Sequence, residues 1–196
     1  MTKGRLEAFS DAVIAIVMTV MVLELHVPDK TDFGALSGLL RVFLAYMLSF
    51  VNLGIYWNNH HHLLQATRRV NGQILWANMH LLFWLSRFPF VTGWLGEHEL
   101  AAAPAALYGV VSLLAALAYY GLQTAVVAEQ GPDWPLAAAL GTDVKGKISP
   151  ALYVAGIGLA FISPVLSVLV YVGVALMWLV PDRRIERILQ TAADET

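Results

Sequence analysis

Apolar stretches separated by short polar or proline-containing segments run along most of the chain. A helix that crosses a bilayer needs about 20 mainly apolar residues, and the pattern predicts six such spans. They cover about residues 6–26, 36–57, 74–95, 104–127, 148–162 and 165–180. The pattern therefore predicts an all-α integral membrane protein with six transmembrane helices, folded as a single domain over residues 1–196.

The boundary between the last two spans depends on one proline. No charged residue occurs from position 148 to position 181, which is too long for one span, and Pro164 lies near the middle of this stretch. Proline lacks a backbone N–H and disfavours helix in the residue before it, so we predict a hairpin of two short spans. We predict that the polar segment before this hairpin lies at the membrane interface, with Trp134 at headgroup level. We predict that residues 182–196 form a short cytoplasmic tail.

Basic residues fall unevenly on the two sides of a six-span chain. Lys30 is the one basic residue in the loops of the first side. The other side carries Lys3, Arg5, Arg68, Arg69, Lys145, Lys147, Arg183, Arg184 and Arg187. Because loops rich in lysine and arginine stay in the cytoplasm, we predict a multi-pass protein of the cell membrane with both termini cytoplasmic.

The first span differs from a simple membrane anchor because it carries polar side chains, which are costly in hydrocarbon. These side chains are Arg5, Ser10, Asp11, Thr19 and Glu24. On a helical wheel with about 100° between residues, one face comprises Arg5, Phe9, Ala12, Ile16, Thr19 and Leu23, with Val20 beside it. We expect this face to line a water-filled path in which Ile16, Val20 and Leu23 form a narrow apolar plug.

Polar residues at the cytoplasmic ends of three predicted spans lie at similar depth. They are Arg5, Ser10 and Asp11 in the first span, His60, His61 and His62 at the inner end of the second, and Trp76 and Asn78 in the third. A carboxylate at this depth needs a partner, which a histidine, an asparagine or an indole N–H can supply. The expected role is a polar clamp that fixes the first helix. The alternative is ordinary hydrogen bonding between helices.

The three consecutive histidines have three interpretations. Successive residues on a helix point about 100° apart, so they cannot converge on one metal ion without help, and no H-E-x-x-H pattern accompanies them. A metal site, a pH sensor and structural pairing are therefore the alternatives, and we favour structural pairing.

Two polar residues near the other end of the first span also have two interpretations each. Glu24 could form an acidic ring at the outer mouth of a path and attract cations, or it could pair with Arg41 or Arg87. The Thr19 hydroxyl could face the path, which we favour, or it could bond the carbonyl four residues before it.

Composition narrows the function further. The chain is 58% hydrophobic and 13% charged, whereas a soluble domain carries about 25% charged residues. The net charge of −2 and the lack of a basic run with interleaved aromatic residues argue against nucleic acid as a partner. The sequence contains no cysteine, no TVGYG-like loop and no Walker or Ser/His/Asp motif. We therefore predict no enzyme activity, no cofactor and no carbonyl potassium filter.

Ordered motifs in the first four spans are similar to those of one membrane protein family. The first span opens with R-x-x-x-F-S-D at Arg5, Phe9, Ser10 and Asp11. Later matches are W-x-x-H-H at Trp57, His60 and His61, W-x-N at Trp76 and Asn78, P-F-x-T at Pro89, Phe90 and Thr92, and L-Y-G at residues 107–109. Together they resemble the transmembrane protein 175 family of endolysosomal potassium channels, and specifically its short prokaryotic members.

The resemblance implies a homotetramer of six-helix subunits whose pore lies at the oligomer axis and is lined by the first helix. It implies passage of potassium and other monovalent cations without a carbonyl filter. The apolar constriction would fall on Ile16, followed by Val20 and Leu23, with a threonine layer at Thr19. Ala15 stands where some relatives carry serine, and Val20 where others carry leucine. The scaffold around the pore helix would comprise Arg5, Phe9, Ser10, Asp11, His60, His61 and Asn78.

Two other functions are alternatives to a channel. A proton-coupled secondary transporter would use Asp11 and His60 as a relay, although the paired Gly/Pro-interrupted spans typical of such proteins are not evident in the sequence. A membrane enzyme with a histidine metal site is the third hypothesis.

Overall fold

The computed structural model describes residues 2–28, 31–98, 101–131 and 144–179. The elements of this part of the chain are the helices α1 Lys3–Val20, α2 Leu40–Ala66, α3 Gly72–Leu85, α4 Phe88–Glu97, α5 Ala102–Gln130, α6 Val144–Ala160 and α7 Pro164–Leu179. Two 3-10 segments, Met21–Glu24 and Phe33–Leu39, follow α1 and precede α2. The prediction of an all-α membrane protein with six spans is confirmed, and α3 and α4 together form the third span.

Three helical segments of the described residues are long and apolar enough to cross a membrane by length and composition. They are Lys3–Glu24, Leu36–Ala66 and Ala102–Gln130, and Pro164–Leu179 is a shorter apolar helix. The predicted end of the second span at Trp57 was too early, because α2 continues to Ala66. The histidine tract therefore lies within α2, near its end.

A break at Ser86 and Arg87 divides the third span into α3 and α4. Pro89 lies at the start of α4, where its missing N–H costs no hydrogen bond because the first N–H groups of a helix have no partner within it. Both residues at the break keep near-helical dihedral angles. Their amides bond to the Leu82 and Trp84 carbonyls at 2.9 and 3.1 Å. The chain therefore continues in the same general direction through the break.

The predicted hairpin of short helices is present in the structure. α6 ends at Ala160, and Pro164 is the first residue of α7. The predicted interfacial stretch around Trp134 and the predicted tail at 182–196 lie outside the described residues, as do the basic residues Lys30, Arg183, Arg184 and Arg187.

The hairpin packs tightly against α5. Gly109 of α5 and Gly156 of α6 both face the ring of Tyr171 in α7, and a Cβ added at either glycine would collide with that ring. Tyr171 is fully buried and donates a hydrogen bond from Oη to the Ala105 carbonyl at 3.2 Å. These contacts hold α5, α6 and α7 together, while α1 packs against α2, α3 and α4.

Candidate pore-lining face and helix clamp

α1 has one buried face and one exposed face. The buried residues, spaced three or four positions apart, are Leu6, Ser10, Ile14 and Val17. Large apolar residues on the opposite face remain exposed, with 44% exposure at Phe9, 60% at Ile16, 39% at Val20 and 73% at Leu23. We call this opposite face the α1 stripe; it consists of Arg5, Phe9, Ala12, Ile16, Thr19, Val20 and Leu23, all of them exposed.

The α1 stripe is the face on which the pore-lining residues were predicted. No charged residue occurs between Asp11 and Glu24, so Thr19 is the one polar side chain in the middle of the stripe. The described part of the protomer leaves Ile16 60% exposed, so its side chain is accessible to a neighbour from outside this part of the chain.

Thr19 combines the two arrangements that were considered for it. Its hydroxyl donates to the carbonyl oxygens of Ala15 and Ile16, at 3.0 and 2.9 Å. The preferred prediction was therefore incomplete, because the hydroxyl proton is used within the helix. The side chain is still exposed on the α1 stripe, so the oxygen lone pairs remain accessible from outside the protomer.

The helix tightens beyond Val20 into the 3-10 segment Met21–Glu24. Three residues per turn instead of 3.6 change the direction of the side chains from the spacing that the helical wheel assumed. Met21 is fully buried, and its Sδ lies 4.0 Å from Oγ1 of Thr92 in α4. Leu23 nevertheless stays exposed, so the α1 stripe continues to the end of this segment.

A buried chain of hydrogen bonds joins α1, α3 and α2. Asn78 of α3 donates from Nδ2 to Oγ of Ser10 in α1 at 2.9 Å, and its Oδ1 lies 2.7 Å from Nε2 of His60 in α2. Because an amide oxygen can only accept, His60 donates from Nε2. All three side chains are at most 1% exposed. The structure thus brings together Ser10, His60 and Asn78 on the face of α1 that lies opposite the α1 stripe.

Asp11 forms a second contact between α1 and α2. The indole Nε1 of Trp57 donates to Oδ1 of Asp11 at 3.0 Å. The Trp57 ring in turn stacks on His61, with 6.0 Å between ring centroids and 24° between ring planes. An indole N–H was one of the expected partners for the carboxylate, and His61 supports the ring that supplies it.

Two residues predicted in the clamp lie outside it. Arg5 is exposed and forms no hydrogen bond or ion pair with the described residues of its own protomer. Trp76 is 79% exposed, because α3 buries Ile74 and Asn78 and a residue midway between them points about 200° away. Trp57 therefore supplies the indole N–H, and the prediction for Trp76 was wrong.

The three histidines contact different neighbours. His60 bonds to Asn78, His61 stacks on Trp57, and His62 packs edge-on against His61 with 5.7 Å between centroids. Within the part of the chain that the structure describes, no group of three His, Asp or Glu side chains could hold a metal ion. The contacts of His60 and His61 fit structural pairing.

Glu24 lies at the far end of the α1 stripe and packs on α4. A Cβ added at Gly93 would collide with the Glu24 carboxylate, so the glycine leaves the space that this side chain occupies. Among the described residues, Glu24 forms no ion pair with Arg41 or Arg87, and Arg87 lies 4.4 Å from the centre of the Phe83 ring. The ion pairs considered as alternatives for Glu24 are therefore not formed in the protomer.

A second polar cluster, which sequence reasoning missed, joins α2, α4 and α5. Oη of Tyr108 accepts hydrogen bonds from Ser49 and Asn52, both at 3.1 Å, and Thr92 donates to Ser49 at 2.6 Å. Tyr108 belongs to the L-Y-G motif and Thr92 to the P-F-x-T motif. Membership in these motifs was the sequence feature that could have indicated the cluster. Their partners are 59 and 43 positions away, and no local pattern predicts such a pairing.

Comparison with known proteins places this arrangement in one family. The family model described as "Endosomal/lysosomal potassium channel TMEM175" matches residues 5–89. A protein of Chryseobacterium sp. (strain P1-3), named as a potassium channel, is 49% identical over 190 residues, covering 97% of this chain and 99% of the relative. A protein of Streptomyces collinus with the same kind of name is 32% identical over 178 residues, covering 84% of this chain and 85% of the relative.

A match to a human protein is shorter. The human endosomal/lysosomal proton channel TMEM175 is 40% identical over 84 residues, covering 35% of this chain and 17% of the human protein. The matching part of the human protein is thus a small fraction of its length.

A solved structure shows the same fold. The crystal structure of a lysosomal potassium-selective channel TMEM175 homolog from Chamaesiphon minutus matches with a TM-score of 0.77 and 31% identity. The match covers 90% of this chain and 95% of that one. The resemblance drawn from the ordered motifs is confirmed along most of the chain. The chain is a multi-pass membrane protein that belongs to the TMEM175 family.

Proposed function

We propose that this chain is a subunit of a potassium-permeable cation channel whose pore is lined by the α1 stripe. The observation that carries the proposal is the position of Ile16, which is 60% exposed at the centre of that stripe. The stripe also carries Thr19, and Arg5 and Glu24 mark its two ends. A helix face that met only lipid would gain nothing from the Thr19 hydroxyl at its centre. The names of the two bacterial relatives, both potassium channels, support the same function.

A single helix face cannot enclose a pore, so the proposal requires several copies of the chain around a symmetry axis. We assign a homotetramer in which four α1 stripes face one another. Ile16, Val20 and Leu23 then form an apolar constriction that closes by dewetting and opens when the helices tilt or rotate. Phe9 and Arg5, which are exposed in the protomer, would meet the neighbouring subunits.

Such a pore selects ions without backbone carbonyls. In an α-helix the carbonyl oxygens point along the axis and accept hydrogen bonds within the helix. The carbonyls of Ala15 and Ile16 also accept from the Thr19 hydroxyl, at 3.0 and 2.9 Å. They are therefore not free to replace the hydration shell of an ion. Selectivity would rest on the width of the constriction and on the lone pairs of Thr19.

The contacts behind the α1 stripe give the pore helix its support. The hydrogen bonds from Asn78 to Ser10 and from Trp57 to Asp11 attach α1 to two neighbouring helices, α3 and α2. His60 and His61 in turn hold Asn78 and Trp57 in place. These residues would form the scaffold, so that a rotation of α1 requires a coordinated movement of α2 and α3.

We place the channel in the cell membrane with both termini in the cytoplasm, as the basic residues indicate. In that orientation Glu24 lies at the outer mouth, where four copies would form a ring that attracts potassium and other monovalent cations. The other partner of the subunit is the lipid bilayer.

Recording from the purified chain in planar bilayers tests the proposal. With potassium on one side and sodium on the other, we expect unitary current steps and a reversal potential displaced toward the potassium equilibrium potential. Saturable, gradient-coupled flux without current steps would contradict it and indicate a transporter. The relay required by a transporter has little support, because Asp11 and His60 bind the separate partners Trp57 and Asn78.

A further inference from the structure

An apolar groove of about 370 Å³ runs between α2 and α7. Leu44, Leu48 and Val51 form part of its wall on α2, and Val172 and Leu176 form part of its wall on α7. Among the described residues Arg41 is the charged member of the lining, and Leu95 of α4 lines the groove as well. None of the residues of the α1 stripe belongs to this lining, so the groove is a separate feature of the protomer.

The length of the groove matches one leaflet of a bilayer. Its lining runs from Arg41 to Val51 on α2 and from Val168 to Leu179 on α7. At 1.5 Å per residue, each wall is roughly 15 Å long. This is about half of the hydrocarbon core, which is about 30 Å thick. An acyl chain that enters from one membrane surface would fill the groove without crossing the midplane.

Arg41 indicates what kind of molecule carries that chain. α2 begins at Leu40, so Arg41 lies in its first turn, five residues inside the candidate span Leu36–Ala66 and near its end, and is exposed. An arginine at this depth packs its stem on apolar surface and keeps its guanidinium at the headgroups. Guanidinium groups bind phosphate oxygens through paired, charge-assisted hydrogen bonds.

We propose that the groove is a lipid site that holds one acyl chain of an anionic phospholipid, with the phosphate bound by Arg41. α4 supports the headgroup end of the site. Gly96 approaches α2 so closely that a Cβ added there would lie 2.8 Å from Cα of Val42, which fixes Leu95 beside the groove. This lipid would therefore bridge α2, α4 and α7.

A second copy of the chain is the other occupant that could cover the groove. The tetramer proposed above brings copies together along α1, whereas α7 packs on α2, α5 and α6. A phospholipid combines an acyl chain with a phosphate, which matches an apolar groove that has a cation at one end. The observations therefore favour the lipid.

Native mass spectrometry of the purified full-length chain tests the site. The probes are phosphatidylglycerol and phosphatidylcholine with identical acyl chains. We expect the wild type to retain phosphatidylglycerol more strongly. Arg41→Gln should weaken that retention about fivefold, the contribution of one cation near a membrane surface. Arg41→Lys keeps the charge but loses the paired hydrogen bonds of the guanidinium, so it should retain only part of the preference.

Filling the groove tests the acyl-chain part of the proposal. Val172→Phe should weaken binding of both lipids, while Val154→Phe, at an exposed position on α6, is the matched control and should change neither. If Val172→Phe does not elute as a single species in size-exclusion chromatography, Leu176→Trp at the exposed rim replaces it.

Unchanged phosphatidylglycerol retention in both Arg41→Gln and the groove-filling variant would overturn the proposal. A groove-filling variant that alters subunit number but not lipid retention would also overturn it, because the groove would then be a contact between copies. Since the readout is lipid binding, the result is independent of the proposed channel activity.

Discussion

His60 of α2 donates a 2.7 Å hydrogen bond from Nε2 to Oδ1 of Asn78 in α3. Asn78 also bonds Ser10 of α1, so a single amide side chain connects three helices. A hydrogen bond between membrane helices contributes only about 0.6 kcal/mol on average. A buried donor left without its partner, however, costs about 1–3 kcal/mol. Asn78 therefore matters to stability mainly because its removal would leave the buried N–H of His60 without an acceptor.

We expect Asn78→Leu to lower the stability of the folded chain by about 1–3 kcal/mol, because it leaves the buried Nε2–H of His60 without an acceptor. The Ser10 hydroxyl keeps its bond to the Leu6 carbonyl at 2.8 Å and should contribute little to the loss. Thermal unfolding in detergent, followed by size-exclusion chromatography, measures the effect. Asn58→Leu, at an exposed position of α2, is the control, and equal stability of the two variants would contradict the prediction.

Two substitutions of Asp11 separate the effect of its negative charge from the effect of its hydrogen bond. Trp57 needs only an acceptor oxygen at 3.0 Å, which asparagine also supplies. We therefore expect Asp11→Ala to reduce the fraction of tetramer on native gels and to cost about 0.5–1.5 kcal/mol, while Asp11→Asn retains most of the assembly. If the two variants assemble equally poorly, the carboxylate charge and not the bond to Trp57 is what matters.

The sequence predicted the helices better than the contacts between them. The spans and the α1 stripe follow from hydrophobicity and helical period, which are local properties. The prediction for Trp76 was wrong because the sequence indicated how deep this residue lies in the membrane but not which face of α3 is buried. Likewise, Arg5 was predicted at a depth similar to that of Asp11, but it lies on the exposed side of α1 whereas Ser10 is buried. Pairings such as Ser49 with Tyr108 depend on how whole helices pack, which no single stretch of sequence determines.

Ile16→Asn tests the apolar constriction. A polar side chain in each of four copies would favour water in the narrow part of the pore, so we expect a higher basal potassium current in bilayer recordings. A barrier lowered by about 1.4 kcal/mol would raise the current about tenfold. Leu117→Asn, at an exposed position on α5, introduces the same group away from the α1 stripe and should leave the current unchanged. An unaltered current in Ile16→Asn would show that Ile16 does not form the constriction of the pore.

Glu24→Gln tests the acidic ring at the outer mouth. We expect a smaller inward potassium current at low ionic strength and little effect at high ionic strength, because the screening length falls from about 30 Å at 0.01 M to about 3 Å at 1 M. Single-channel conductance at the two salt concentrations measures this difference. Glu97→Gln, at the end of α4 and beside His26, is the comparison for a carboxylate on another helix. A reduction that is the same at both concentrations would point to a structural role for Glu24.

Gly109→Ala tests the packing that holds the hairpin on α5. The added Cβ would lie 2.7 Å from both Ile157 Cγ1 and Tyr171 Cζ, and the buried Tyr171 ring cannot move without breaking its bond to Ala105. Overpacking of this kind costs about 1–3 kcal/mol, which is more than the helix propensity of alanine returns. Gly121→Ala, on the same helix with no neighbouring atom within 4 Å, should be neutral or stabilising. Thermal unfolding of the two variants measures the difference. An effect of helix propensity alone would stabilise both variants, whereas a steric clash would destabilise only Gly109→Ala.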